Sequence, residues 1–234
     1  MEDKELLEMN IADTIIERPV GFNIGSQQFY LYPPTLGITY HLARLFKSLE
    51  ADARLISANP DLEAIRLCTE KKEIVCRILS NYTFNRKEDV FDGSKVEVRA
   101  KEFSELAAEE LATIFTIVLS GDNTEEFIKY FGIDKERLER SRIAAVKKDN
   151  SSVTFGGNST YGTLIDFACQ RYGWTMDYVM WGISYANLKM LMADAITTIY
   201  LSEEERKLLG KSVGEVINAD DPRNRELIRR MIGE

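Results

Sequence analysis

The sequence predicts a mainly α fold: a helical bundle carrying an N-terminal β-hairpin. Two observations point there. Apolar residues recur at i, i+3 and i+4 over several long segments, the period of a helix with one buried face. Between residues 20 and 32 the period changes to two, as on a half-buried strand. With 234 residues the chain is long enough to bury a core without disulfides or metals, and its 44% hydrophobic and 29% charged residues are ordinary for a globular protein.

Residues 1–18 begin the chain with a short helix or a frayed terminus, and Leu6, Leu7, Ile11, Ile15 and Ile16 are its apolar residues. Val20–Ile24 and Phe29–Tyr32 alternate with period two on either side of Gly25-Ser26-Gln27, which reads as a hairpin. Pro33 and Pro34 end the second strand, because proline has no amide to donate to a ladder. Thr35 is a plausible N-cap for a helix running to about residue 53, with Leu36, Tyr40, Leu42, Leu45, Phe46 and Leu49 as its apolar residues. Pro60-Asp61 opens a helix carrying Ile65, Cys68, Val75, Ile78, Leu79 and Tyr82. Residues 83–100 are charged and contain Asp92-Gly93, so a loop is expected there, with a short strand at Lys95–Val98. A strong helix follows over 102–120, stopped by Gly121–Thr124, and short helices are expected near 124–131 and 134–147.

The stretch Asp149–Thr160 is rich in Ser, Asn, Thr and Gly and reads as a loop or hinge. The expected organisation is therefore an N-terminal hairpin-and-helix domain over 1–148, the hinge at 149–160, and a C-terminal helical region over 161–234. Within that last region helices are expected at 161–172, 175–182 and 184–201, ahead of an acidic tail with one or two short helices.

Charge and composition narrow the function classes. Thirty basic against thirty-eight acidic residues give a net charge of −8, which disfavours a protein that grips a phosphate backbone over a broad surface. Cys68, Cys76 and Cys169 show no disulfide or zinc spacing, and the expected setting is a reducing, cytoplasmic one. No apolar run has the length of a signal peptide or a membrane span. His41 is the single histidine and lies among apolar neighbours, so a histidine-based triad is not expected. Gly156–Thr163 precedes a helix but lacks both the lysine of a P-loop and the three-glycine dinucleotide fingerprint. No cofactor or metal is expected, nor a catalytic role; an enzyme using carboxylates in a cleft would need converging acids that spacing alone does not reveal.

The segment after residue 160 holds the richest signal. Its helix, the Gly173-Trp174-Thr175 turn with Thr175 as N-cap, and the short helix after it resemble the cadence of a helix-turn-helix DNA reader. Residues 176–181 supply Met, Asp, Tyr, Val, Met and Trp, with no arginine, lysine or glutamine for base edges. DNA binding is thus the alternative reading, and no nucleic-acid partner is expected. Tyr172, Trp174, Met176, Tyr178, Met180, Trp181 and Tyr185 instead form the candidate protein-binding set, because aromatic and methionine side chains dominate interface hot spots and adaptable grooves. For any single one of them a place in a helical core is the stronger reading, and it is their density over residues 172–192 that points to docking.

Two segments carry a family resemblance. Phe29-Tyr-Leu-Tyr-Pro-Pro-Thr-Leu-Gly37, leading from a hairpin into a helix, resembles the opening of tail assembly chaperones of long-tailed bacteriophages and prophages. Arg171-Tyr-Gly-Trp-Thr175 and Val179-Met-Trp-Gly-Ile-Ser-Tyr-Ala-Asn-Leu188 resemble a tryptophan-bearing helical motif of the same family. The resemblance implies a non-catalytic chaperone or adaptor of the bacterial host cytoplasm. Its client would be the long helical tape-measure protein or another tail protein, the expected behaviour is self-association or capture of an amphipathic helical client, and no membrane partner is expected. The length of the chain, the 149–160 stretch and the 202–234 tail depart from the smaller chaperones of that family.

Overall fold

The computed structural model describes residues 2–147 and 155–210. They form a mainly helical protein with a two-stranded antiparallel hairpin near the N-terminus, as the two periodicities predict. The first helix, α1, spans Glu2–Ile15. The hairpin follows as β1 (Val20–Ile24) and β2 (Gln27–Leu31), with Val20 opposite Leu31 and Ile24 opposite Gln27. Gln27 belongs to the strand and not to the turn. The turn is Gly25-Ser26 alone, with Gly25 at φ +58°, since two-residue loops suit the twist of paired strands best. On β2 Phe29 and Leu31 are buried while Gln28 and Tyr30 face out. Phe29 meets Phe22 across the ladder at 5.7 Å, and both rings pack on Phe103 at 6.2 and 5.9 Å, which seats the hairpin on the core.

Helix α2 (Leu36–Leu49) is capped by Thr35, whose hydroxyl oxygen accepts from the Ile38 N–H at 3.3 Å. It ends four residues before the expected limit. Glu50 takes the left-handed conformation at φ +53°, and Asp52 accepts from the amides of Arg54 and Leu55 to start a short helix, α3 (Ala53–Ala58). Asn59 then caps α4 (Pro60–Glu70), and Lys71 separates it from α5 (Lys72–Tyr82). The single helix expected over this region is broken because its two halves have different partners: α4 packs on α8 (Ala108–Ser120), while α5 packs on α2 and α7 (Gly93–Ser104). A straight rod could not turn its apolar stripe toward both.

The expected loop and strand over 83–100 are incorrect. The chain there forms α6 (Lys87–Phe91) and α7. Asp92, read from sequence as part of an Asp-Gly turn, is the N-cap of α7 and accepts from Ser94 and Lys95 N–H at 3.0 and 3.2 Å. Widely spaced anchors, Val90, Ala100 and Phe103, are buried here, so tertiary burial holds a charged segment that has weak periodicity of its own. The helix expected over 102–120 is likewise divided at Glu105–Ala107, where the Glu110 carboxylate accepts from Ala107 N–H and opens α8.

Asp122 accepts from Thr124 N–H ahead of α9 (Thr124–Tyr130), and α10 covers Ile133–Val146. After residue 160 a π-helical turn, Tyr161–Ile165, runs into α11 (Asp166–Tyr172). Then come α12 (Met176–Trp181), α13 (Tyr185–Ala193) and α14 (Glu203–Leu208). Helix α13 stops well short of residue 201. The expected loop at 149–160 lies outside the described residues up to 154, as does the tail beyond 210. Among the described residues no helix is long and apolar enough to cross a membrane.

Of the described residues, 2–133 and 155–195 group into one compact unit, and 134–147 with 196–210 into a second. The first unit has two apolar cores. The larger joins Leu31, Leu42, Leu67, Val75, Leu79, Phe103, Leu111 and Phe115. The smaller joins Leu36 to Leu164, Ile165, Ala168, Val179, Ile183 and Leu188. Leu36, the first residue of α2, therefore belongs to the core built by the helices after residue 160. In the second unit α14 opens with Ser202 and Glu205 capping one another reciprocally.

Candidate docking site

The seven candidate residues lie on α11, α12, α13 and the turns between them. Gly173, at φ +67°, ends α11, and the Thr175 hydroxyl caps α12 by accepting from Tyr178 N–H at 3.2 Å. That tight connection brings Tyr172 and Trp174 into a stack at 4.7 Å, and Tyr178 meets Trp174 edge-on at 5.1 Å. Tyr172, Trp174, Met180 and Tyr185 are half-buried against the smaller core, and the Tyr172 hydroxyl donates to the Leu191 carbonyl at 3.1 Å. Met176 and Tyr178 stand out from them at 51% and 43% exposure. Tyr172, Trp174 and Tyr178 thus form one continuous aromatic ridge, with its root against the smaller core and its crest at Met176 and Tyr178 exposed.

Trp181 is placed differently. It packs against the larger core, and its indole lies flat on Gly37 of α2, where an added Cβ would come within 2.6 Å of the ring. Phe91 meets the outer edge of Trp181 at 5.4 Å and His41 at 5.2 Å, so the single histidine is part of an aromatic cluster. Lys87 reaches over the Trp181 ring and pairs with Asp177 at 2.7 Å. A small cleft of about 140 Å³ opens beside Trp181, lined among others by Tyr32, Thr35, Arg86 and Lys87.

Two sequence-distant segments, Pro34–Gly37 and Trp181–Tyr185, meet here. Thr35 and Ser184 form an isolated antiparallel bridge, and Tyr185 N–H donates to the Pro34 carbonyl at 2.8 Å. Together with the Gly37–Trp181 contact and Leu36 in the smaller core, these bonds make Pro34–Gly37 and Trp181–Tyr185 one assembly.

Neighbouring groups fix its borders. Glu17, at φ +54°, accepts from Ser184 N–H at 2.7 Å and from the Asn187 amide at 3.0 Å, and Asn187 also donates to the Ile15 carbonyl. Lys189 sits 5.0 Å over the Tyr185 ring and pairs with Asp122. Burial, with Tyr40 and Asp122 nearby, pushes the Tyr185 phenol up. Cys68 and Cys76 lie buried on α4 and α5, away from this ridge in the larger core, and burial pushes their thiols up to about 12 and about 11.

Sequence reasoning missed Gly37, Phe91 and Glu17. Gly37 had a signal, since a glycine inside an otherwise strong helix usually marks a close approach. Phe91 and Glu17 had none, for their neighbours are remote in the chain. No family model, curated protein or solved structure matches the chain.

Proposed function

We propose that this protein is a non-catalytic assembly chaperone or adaptor of the tail assembly chaperone type, binding a helical client such as a phage or prophage tape-measure protein in the host cytoplasm. The observation that carries the reading is the joining of Pro34–Gly37 to Trp181–Tyr185: the two short segments that bear the resemblance act as one structural element. Beside it the ridge of Tyr172, Trp174, Met176 and Tyr178 supplies aromatic and methionine surface, with its inner side anchored and its crest free for a client helix.

The helix-turn-helix alternative draws no support from α12. Its exposed residues are Met176, Asp177 and Tyr178, and Lys87 is engaged with Asp177.

Co-expression with the long helical client tests the proposal. The wild-type chain is expected to shift the client from the insoluble to the soluble fraction, and a Met176→Asp, Tyr178→Asp variant to lose that effect while retaining its own solubility. A client that stays equally insoluble with the wild-type chain sinks the reading.

A further inference from the structure

The hairpin leaves one of its edges open. Its two-residue turn makes Ile24 and Gln27 a hydrogen-bonded pair, and bonded pairs then alternate along the ladder through Phe22–Phe29 to Val20–Leu31. The amides and carbonyls of Gly21 and Asn23 therefore point away from β2. Both residues are exposed, and among the described residues nothing bonds to these outward groups. The opposite edge is not equivalent, because the outward Tyr32 N–H just after β2 donates to the Tyr82 carbonyl at the end of α5, at 2.8 Å. Edge strands are commonly kept single by charged side chains, bulges or a covering element. Strand β1 carries no charged residue, and its register with β2 is continuous.

The strand is also complementary to itself. Against an antiparallel copy related by a two-fold axis through Phe22, Gly21 faces Asn23 of the second copy and Asn23 faces Gly21. Each of these pairs can exchange both of its free hydrogen bonds. On the face that carries Phe22 and Ile24 against the larger core, Val20 comes opposite Ile24, and Phe22 opposite Phe22. Every pair on that face is apolar, and Val20, 44% exposed in the single chain, gains a partner. No like charges are opposed, although the chain as a whole carries −8. A slide that set Pro19 against Asn23 would forfeit a donor, and a slide the other way would carry Gly21 into the turn at Gly25. The register centred on Phe22 keeps all of these pairs within the strand. We propose that a second copy of this chain pairs β1 to β1, joining the two hairpins into one four-stranded antiparallel sheet. The contact uses none of the ridge residues and does not rest on the client reading.

Sedimentation equilibrium of the full chain is expected to show a monomer–dimer equilibrium. Hydrogen exchange at Gly21 and Asn23 should slow at least about tenfold as rising concentration carries the chain into the dimer. Asn23→Pro removes an outward donor without touching the ladder to β2, and should weaken the dimer at least about tenfold. Val20→Lys sets a lysine against Ile24 of the second copy and should weaken it similarly. The Phe22 and Phe29 amides, bonded to each other's carbonyls within the hairpin, report that the hairpin persists. If Asn23→Pro loses their protection, Val20→Lys decides. A chain that stays monomeric at about 100 μM overturns the proposal, as does a dimer that the edge variants leave intact. Free exchange of Gly21 and Asn23 in the dimer overturns it too. Protection that arises only when another protein is added does the same, by making that protein the occupant. The Met176→Asp, Tyr178→Asp variant should dimerise like wild type, so this proposal and client capture fail separately.

Discussion

Glu17 and Glu50 share one backbone conformation, φ +54° and +53°, and differ in what they hold. Glu50 lies at the end of α2, and its exposed carboxylate pairs with the half-buried Lys71. Glu50→Gly is therefore expected to stabilise the protein by about 0.5–1 kcal/mol, since glycine adopts this conformation without a Cβ clash. The same substitution at Glu17 removes the acceptor of the buried Ser184 N–H, and it should destabilise by about 1–2 kcal/mol despite the relieved backbone. Urea unfolding of the two variants side by side checks the opposite signs. Glu63 is a third carboxylate with a defined task. It is buried, receives Arg66 through two nitrogens at 2.6 and 2.8 Å, and accepts from Asp52 N–H at 2.8 Å. The Arg66 guanidinium holds its carboxyl below the usual range, outweighing burial. A depressed folded-state value stabilises the protein above the unfolded carboxylate pKa of about 4.3, and that contribution is lost as pH falls through the folded value. Thermal unfolding between neutral and acid pH should accordingly show a shallower acid limb for Glu63→Gln, with a lower Tm at neutral pH. An unchanged slope would mean that Glu63 does not report the acid transition.

Gly37 and Gly182 show how an element is seated by what is missing from its neighbour. A Cβ at Gly37 would meet the Trp181 indole at 2.6 Å, and Trp181 is held on its other sides by the larger core, Phe91 and Lys87. Gly37→Ala must move α12 off α2, at an expected cost of about 1–3 kcal/mol, with faster hydrogen exchange in α12 and little change in α4. A Cβ at Gly182 would come within 2.2 Å of the Tyr178 ring, but that ring is exposed and can swing aside. Gly182→Ala should therefore leave the unfolding midpoint nearly unchanged and alter client binding, because it moves the crest of the ridge and not its root. Elements also account for what sequence could and could not disclose. The hairpin was legible in the alternation of Val20–Leu31, and the starts of α2 and α12 in Thr35 and Thr175, since strand period and side-chain caps act within a few residues. Helices α6 and α7 were not, because Val90, Ala100 and Phe103 are too sparse to make a stripe and acquire meaning only once a core exists to receive them.

Across the whole molecule the three thiols report its integrity. Cys68 and Cys76 are buried with raised pKa values, while Cys169 is half-buried on α11. Under native conditions at pH 8 a thiol reagent should modify Cys169 first, and Cys68 and Cys76 only at the rate of global unfolding. Mass mapping of the labelled cysteines checks the order, and early modification of either buried thiol would show that the larger core opens locally. At the same scale the candidate site was half legible. Composition marked the aromatic and methionine residues between Tyr172 and Tyr185, yet it could not separate Met176 and Tyr178, which face solvent, from Trp181, which packs on Gly37.

By itself the sequence determined the mainly helical class, the hairpin, the principal caps and the acidic balance, all of which follow from local periodicity, side-chain hydrogen bonding within a turn, and charge. Only the tertiary structure decided the breaks at Lys71 and Glu105–Ala107, the end of α2 at Glu50, and the meeting of Pro34–Gly37 with Trp181–Tyr185. Those features depend on which apolar stripe finds which partner, and residues far apart in the chain leave no local trace of the contact they will make.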